Sequence, residues 1–258
     1  RLIRRQRQMC IRDRSGTPLN DKKREFDERM ADFDRKFREL PPDAPADSLY
    51  AAYTKLVPES IGANSDNLFG AYLFSVYEFD GNDIAAAKAR LECFTPAMQA
   101  HPTLKRIAEK VAAAENTEIG KPYMDLTLKD ADGETVALSS LAGPGRWVLL
   151  DFWATWCGPC CREIPHLREA YAACKSKGLE IYGVSLDNDA AKWKTFVADN
   201  DMPWINVLGV SADKRSDAAA MYGISSIPAN FLISPEGIIV ARDLRGENIK
   251  ARLEEAMR

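Results

Sequence analysis

Apolar positions recur along this chain at two different spacings, and the change of spacing divides it. Over residues 20–40, Phe26, Met30, Phe33 and Phe37 fall three or four apart among charged neighbours. That is one apolar stripe of a helix, which Pro41-Pro42 ends. Further helical patterns are expected over 47–57, 65–79, 83–93 and 103–115. Pro58, Gly62, Gly81, Pro96 and Pro102 punctuate them. Residues 15–118 therefore read as an all-helical domain of short antiparallel hairpins, with no internal repeat. Its aromatic positions Tyr50, Tyr53, Phe69, Tyr72, Phe74 and Tyr77 fit a helical core better than a ligand box, although the same spacing can line a docking groove.

Residues 116–122 read as a linker. Beyond it the texture becomes strands alternating with helices, the mark of an α/β domain over 119–258. Strands are expected at 124–128, 136–138, 147–152, 181–185, 206–207, 229–233 and 238–244. Helices are expected at 160–177, 190–200, 217–222 and 248–257.

Composition narrows the picture only a little. A chain of 258 residues is long enough for two modest domains and a substantial core. With 46% hydrophobic and 28% charged residues it is ordinary for a globular protein. A formal net charge of −3 gives no reason to expect nucleic acid as a partner. No apolar run approaches the roughly 20 residues of a membrane helix. Residues 1–14 form a strongly basic run containing Cys10, read as a disordered or non-native tail, and no apolar signal-peptide core opens the chain.

The chemistry concentrates in Trp153-Ala154-Thr155-Trp156-Cys157-Gly158-Pro159-Cys160. Two thiols three positions apart can close a small disulfide ring or open to a dithiol. The pattern places Cys157 where a buried strand gives way to a helix. Unpaired backbone N–H groups and the helix dipole there favour a thiolate. Pro159 suits the first helical turn, because its missing N–H would have had no partner there. A structural zinc site would want a second Cys/His pair, and haem attachment would want His where Cys161 stands. Cys157 is thus the expected nucleophile and Cys160 the resolving thiol. Asp151, flanked by Leu149, Leu150 and Phe152, is an improbable place for an unpaired carboxylate. Burial there raises its pKa toward neutrality, which suits an acceptor for the Cys160 proton. A purely structural Asp, hydrogen-bonded to backbone or to a Lys, is the competing reading.

The segment Asp151-Phe152-Trp153-Ala154 followed by Trp156-Cys157-Gly158-Pro159-Cys160 resembles the active-site segment of thioredoxin. The wider context resembles the TlpA/ResA group of bacterial envelope thiol–disulfide oxidoreductases, related to the AhpC/TSA proteins. The lead-in Tyr123-Met124-Asp125-Leu126-Thr127-Leu128-Lys129-Asp130, Gly133, Leu138-Ser139-Ser140-Leu141, Glu163 and Pro165 carry that likeness. So do Ile227-Pro228 and Phe231-Leu232-Ile233-Ser234-Pro235-Glu236-Gly237. The resemblance runs from about residue 119 to 258. It implies a thioredoxin-like α/β fold, a central mixed sheet flanked by helices, with an added N-terminal hairpin.

It also implies a cis Ile227–Pro228 bond facing Cys157, whose backbone pairs with an extended substrate strand. Trp156, Gly158, Pro159, Ile227 and Pro228 are then the expected substrate contacts. Glu163 matches an acid that the ResA-like proteins carry, so two acids, Asp151 and Glu163, compete to tune the thiols. The implied activity is protein-disulfide oxidoreduction, with Gly158-Pro159 favouring the reducing direction. The implied partners are disulfide-bearing proteins and an upstream thiol reductant. The location would be the periplasm or envelope, with any signal segment or lipid anchor upstream of this chain. No cofactor is expected beyond the Cys157–Cys160 disulfide, and no metal. Oligomeric state has no signature.

Cys161 reads as a packed free thiol, and Cys174 and Cys93 as small core residues. The histidines are His101 and His166, and none lies far downstream of the cysteine pair as a copper chaperone would want. Two alternatives remain open. One is a thiol peroxidase of peroxiredoxin type, against which Thr155 stands two rather than three positions before Cys157. The other is a helical binding module carrying an accessory redox domain.

Overall fold

A computed structural model of the chain describes residues 17–41, 44–79, 83–210 and 216–258. The expected basic tail at 1–14 lies outside the described residues. The chain falls into two compact units that divide between Glu109 and Lys110.

The first unit is helical: α1 (Pro18–Glu39), α2 (Asp47–Gly62), α3 (Leu68–Leu73, continued by a π turn over Phe74–Glu78), α4 (Ile84–Glu92) and the short α5 (Pro96–Gln99). Thr17 caps α1, accepting from the Asn20 N–H, and Pro18 stands in its first turn. Phe26 is buried edge-on against Phe69 and Tyr77. Pro58 does not end α2 as expected but sits inside it. An interior proline costs about 3 kcal/mol. Leu56 and Ile61, both fully buried, span it on the packed face, and each contributes about 1.5–3 kcal/mol. The helix expected from residue 65 begins only at Leu68, because Asn67 caps it. Of the six aromatics read as core, Tyr50, Tyr72 and Tyr77 stand exposed while Phe69 and Phe74 are buried. Cys93, also expected in the core, is exposed. It lies at the C-terminal cap of α4, off the face carrying Ala87 and Leu91, and its thiol donates to the Ala89 carbonyl.

Helix α6 (Pro102–Asn116) spans the division between the units. Its last turns belong with the second unit. Gly223 has φ +64° and lies so close to Ala113 and Ala114 that a Cβ would sit 2.8 Å from the Ala114 nitrogen. The Thr117 hydroxyl donates to the Tyr222 carbonyl.

The second unit contains β1 (Thr127–Asp130), β2 (Thr135–Ala137), β3 (Trp147–Trp153), α7 (Gly158–Cys174), β4 (Leu179–Ser185), α8 (Ala190–Asp199), β5 (Ile205–Leu208), α9 (Asp217–Met221), β6 (Ala229–Ile233), β7 (Ile239–Arg242) and α10 (Asn248–Ala256). Its sheet runs β2-β1-β5-β4-β3-β6-β7. Strands β3, β4 and β5 are parallel, and β6, β7, β1 and β2 join antiparallel. This is the thioredoxin-like mixed sheet with an added hairpin. The first strand starts three residues later than expected, because Met124 is held instead by the Tyr222 hydroxyl, which bonds both its N–H and its carbonyl.

Strand β3 is buried on both sides, as its near-continuous apolar run requires. Alternation sends Val148, Leu150 and Phe152 to the face that also holds Leu138, Tyr182 and Tyr222. Leu149 and Trp153 go to the face covered by α7 and α10, with Cys160, Leu167, Ile249 and Leu253. Asp151 stands between them on that second face. Among the described residues no helix is long and apolar enough to cross a membrane.

Candidate active site

The site forms where β3 hands over to α7. Cys157 is the N-cap residue of α7, and Pro159 falls in its first turn. Cys157 and Cys160 are joined as a disulfide, S–S 2.10 Å. The Cys160 backbone N–H donates to Cys157 Sγ at 3.2 Å. A helix N-terminus with such a donor lowers the energy of a thiolate at Cys157 once the bond opens. Trp156, 62% exposed, and the exposed Gly158 and Pro159 flank Cys157 in sequence. Cys157 and Cys160 are both buried, in the cluster that also holds Ile164 and Leu167.

Ile227–Pro228 is a cis peptide, and the Ile227 carbonyl oxygen lies 3.7 Å from Cys157 Sγ. Both residues are half-buried. The structure therefore brings Trp156, Cys157, Gly158, Pro159, Ile227 and Pro228 to one rim.

Asp151 lies beneath the disulfide helix, 6% exposed. It pairs in register with Asn230 on β6 and Gly183 on β4. Burial pushes its carboxyl up to about 7; the Arg245 charge and a hydrogen bond from Asn230 pull the other way, while Glu163 adds to the rise. A carboxyl poised near neutrality can take and return a proton. Glu163 is half-buried on α7, and its Oε2 accepts the Gly246 N–H at 2.7 Å. It faces the same buried carboxyl but is tied to the loop after β7.

Three residues of the site escaped the reading of the sequence. Asp187, buried just past β4, accepts from the Thr155 N–H (2.9 Å), the Thr155 hydroxyl (2.6 Å) and the Ser185 hydroxyl (2.7 Å). It pins the turn that leads into Trp156 and Cys157. Its signal was its place at the carboxyl end of a parallel strand beside the catalytic one, where such folds gather function. Asn230 bonds the Leu244 carbonyl and N–H through its side-chain amide. Arg245 binds the Pro228 carbonyl. Neither has a local signal, since both contacts depend on strand register.

Cys161 is a free thiol, partly exposed, donating to the Thr155 carbonyl, and burial pushes its thiol above the ordinary range. Cys174 is free and buried, as expected. Among the described residues no three His, Cys, Asp or Glu side chains are placed to hold a metal ion.

Residues 119–242 match the AhpC/TSA family model. The chain is 34% identical over 144 residues to the thiol-disulfide oxidoreductase ResA of Bacillus thuringiensis subsp. konkukian, covering 56% of this chain and 79% of that protein. Against ResA of Bacillus subtilis it is 33% identical over 129 residues, 50% of this chain and 69% of that one. The crystal structure of the thioredoxin domain of a thiol-disulfide oxidoreductase from Bacteroides vulgatus is similar at TM-score 0.51 and 35% identity. That match covers 55% of this chain and 99% of the other.

Proposed function

This chain belongs to the ResA family of thiol–disulfide oxidoreductases, and from that premise we propose that it reduces protein disulfides in the bacterial envelope through Cys157 and Cys160. The observation that carries the proposal is a disulfide in which Cys157 caps a helix and faces the Ile227 carbonyl. In the reduced protein the Cys157 thiolate attacks a substrate disulfide, forming a mixed disulfide and expelling one substrate thiolate, which takes up a proton. Asp151 accepts the Cys160 proton. The Cys160 thiolate then attacks Cys157 Sγ, closing the Cys157–Cys160 bond and expelling the second substrate thiolate, which takes up a proton as Asp151 gives up its own. Two electrons have passed to the substrate, and an external dithiol restores the pair.

Trp156, Gly158, Pro159, Ile227 and Pro228 contact the substrate segment, whose main chain pairs with the Ile227–Pro228 backbone. Glu163 assists by holding the Gly246 loop and by raising the proton affinity of Asp151. Gly158-Pro159 resembles the reducing members of the superfamily, for which thioredoxin stands at about −270 mV. Residues 119–258 form the redox domain in this reading, and residues 15–118 an accessory helical one.

Insulin reduction driven by dithiothreitol tests the proposal. Wild type should accelerate precipitation of the insulin chains, and Cys157→Ser should not. Peroxide consumption without effect on insulin would favour the thiol peroxidase instead.

A further inference from the structure

The loop after β7 places one cation against two parts of the site. Arg245 is about one-third exposed, with 35% of its side-chain surface free. Its guanidinium donates to the Pro228 carbonyl, to the Leu244 carbonyl at 2.7 Å and to Asp243 Oδ1 at 3.2 Å. The next residue, Gly246, donates to Glu163 at 2.7 Å. A continuous set of contacts thus runs from Glu163 on the disulfide helix, through Gly246 and Arg245, to Pro228 and the Ile227 carbonyl beside Cys157. A planar guanidinium can hold two carbonyls and a carboxylate at once, which a lysine ammonium on a flexible stem does with far less geometric control.

The same charge acts on the buried acid. Asp151 is faced by Asn230 from β6, by Glu163 from α7 and by Arg245 from the loop after β7. Of these only Arg245 is cationic, and Asp243 beside it offsets part of its charge. Arg245 holds the Asp151 carboxyl lower than burial and Glu163 alone would leave it. Because Arg245 is one-third exposed, solvent screens part of this effect.

We propose that Arg245 is a positioning residue for the exchange reaction, holding the Pro228 backbone in register with Cys157 and keeping positive charge beside Asp151 while that carboxyl exchanges the Cys160 proton. The proposal rests on the reading of Asp151 as proton acceptor. One side chain would then couple substrate seating to proton transfer.

Full-length Arg245→Gln and Arg245→Lys separate the two roles. The Asp151 titration midpoint is read by carboxyl NMR, and KM is read with a disulfide peptide. In Arg245→Gln the midpoint should rise by about one pH unit, the low end of what a neighbouring charge does. In Arg245→Lys it should stay near the wild-type value. KM should rise about 3–10-fold in both variants, the scale of one lost hydrogen bond. An unmoved midpoint in Arg245→Gln, or a midpoint that rises equally in Arg245→Lys, would overturn the electrostatic role. Unchanged KM in both would overturn the seating role. Asp151→Asn, assayed for resolution of the Cys157 mixed disulfide, tests the underlying reading separately: an unchanged rate removes Asp151 as acceptor, whatever its midpoint does in the Arg245 variants.

Discussion

Replacing Asp151 with Asn should make the redox domain more stable at alkaline pH and leave it almost unchanged in acid. The carboxyl is buried, and its midpoint lies at about 7 against an ordinary 3.8. The folded state therefore holds its proton more tightly than the unfolded chain does. The favourable contribution of that proton is complete below pH about 4, fades as pH climbs between the two midpoints and is gone above about 7. A difference of roughly 3 pH units at 1.36 kcal/mol each amounts to about 4 kcal/mol. Asn carries no charge to bury, so its stability does not follow that slope. Exchanging a hydroxyl for an amide adds a pH-independent offset of about 1 kcal/mol in either direction.

Urea denaturation of the oxidised protein, followed by tryptophan fluorescence, reads the right domain, because all five tryptophans (Trp147, Trp153, Trp156, Trp193 and Trp204) lie in the second unit. With a urea slope of about 2 kcal/mol/M, the midpoint of Asp151→Asn should exceed wild type by about 2 M at pH 8. The gap should shrink as pH falls, to within about 1 M near pH 4.5. A gap that stays constant across pH, or a wild type more stable at pH 8, would refute the claim that burial governs this carboxyl.

Three further outcomes are expected. Glu163→Gln should lower the Asp151 midpoint, since its negative charge helps raise it; carboxyl NMR reads this. A large loss of mixed-disulfide resolution in Glu163→Gln with none in Asp151→Asn would move the acceptor role to Glu163. Cys161→Ala should leave the reduction potential within about 15 mV, under 1 kcal/mol for a two-electron couple, because burial keeps that thiol protonated; glutathione equilibration with peptide mapping checks it. Gly183→Ala should cost about 1–3 kcal/mol, because the new methyl would stand 3.1 Å from Asn206 Oδ1, 3.2 Å from Trp204 Nε1 and 3.3 Å from Trp153 Nε1; the same urea assay measures it.

What could be read from the sequence was what depends on neighbours in the chain. The apolar run through Leu149, Leu150 and Phe152 marks a doubly covered strand, and the acid inside it is buried as that run demands. Cys157 at a strand-to-helix junction follows from the same local pattern. What was lost depends on partners far along the chain. Pro58 looked like a stop because the packing of Leu56 and Ile61 lies outside any propensity rule. Met124 left its expected strand for a hydroxyl 98 residues away. Cys93 looked like a core residue, but a helix end turned it outward. Arg245 meets Pro228 only because β6 and β7 pair in one register.

The central claim is that Cys157 attacks and Cys160 resolves, and peptide mapping of Cys160→Ser after exposure to a disulfide substrate tests it most directly. Without the resolving thiol, the mixed disulfide should accumulate, with the substrate attached at Cys157. Substrate attached at Cys161, or no adduct at all while wild type turns the same substrate over, would contradict it.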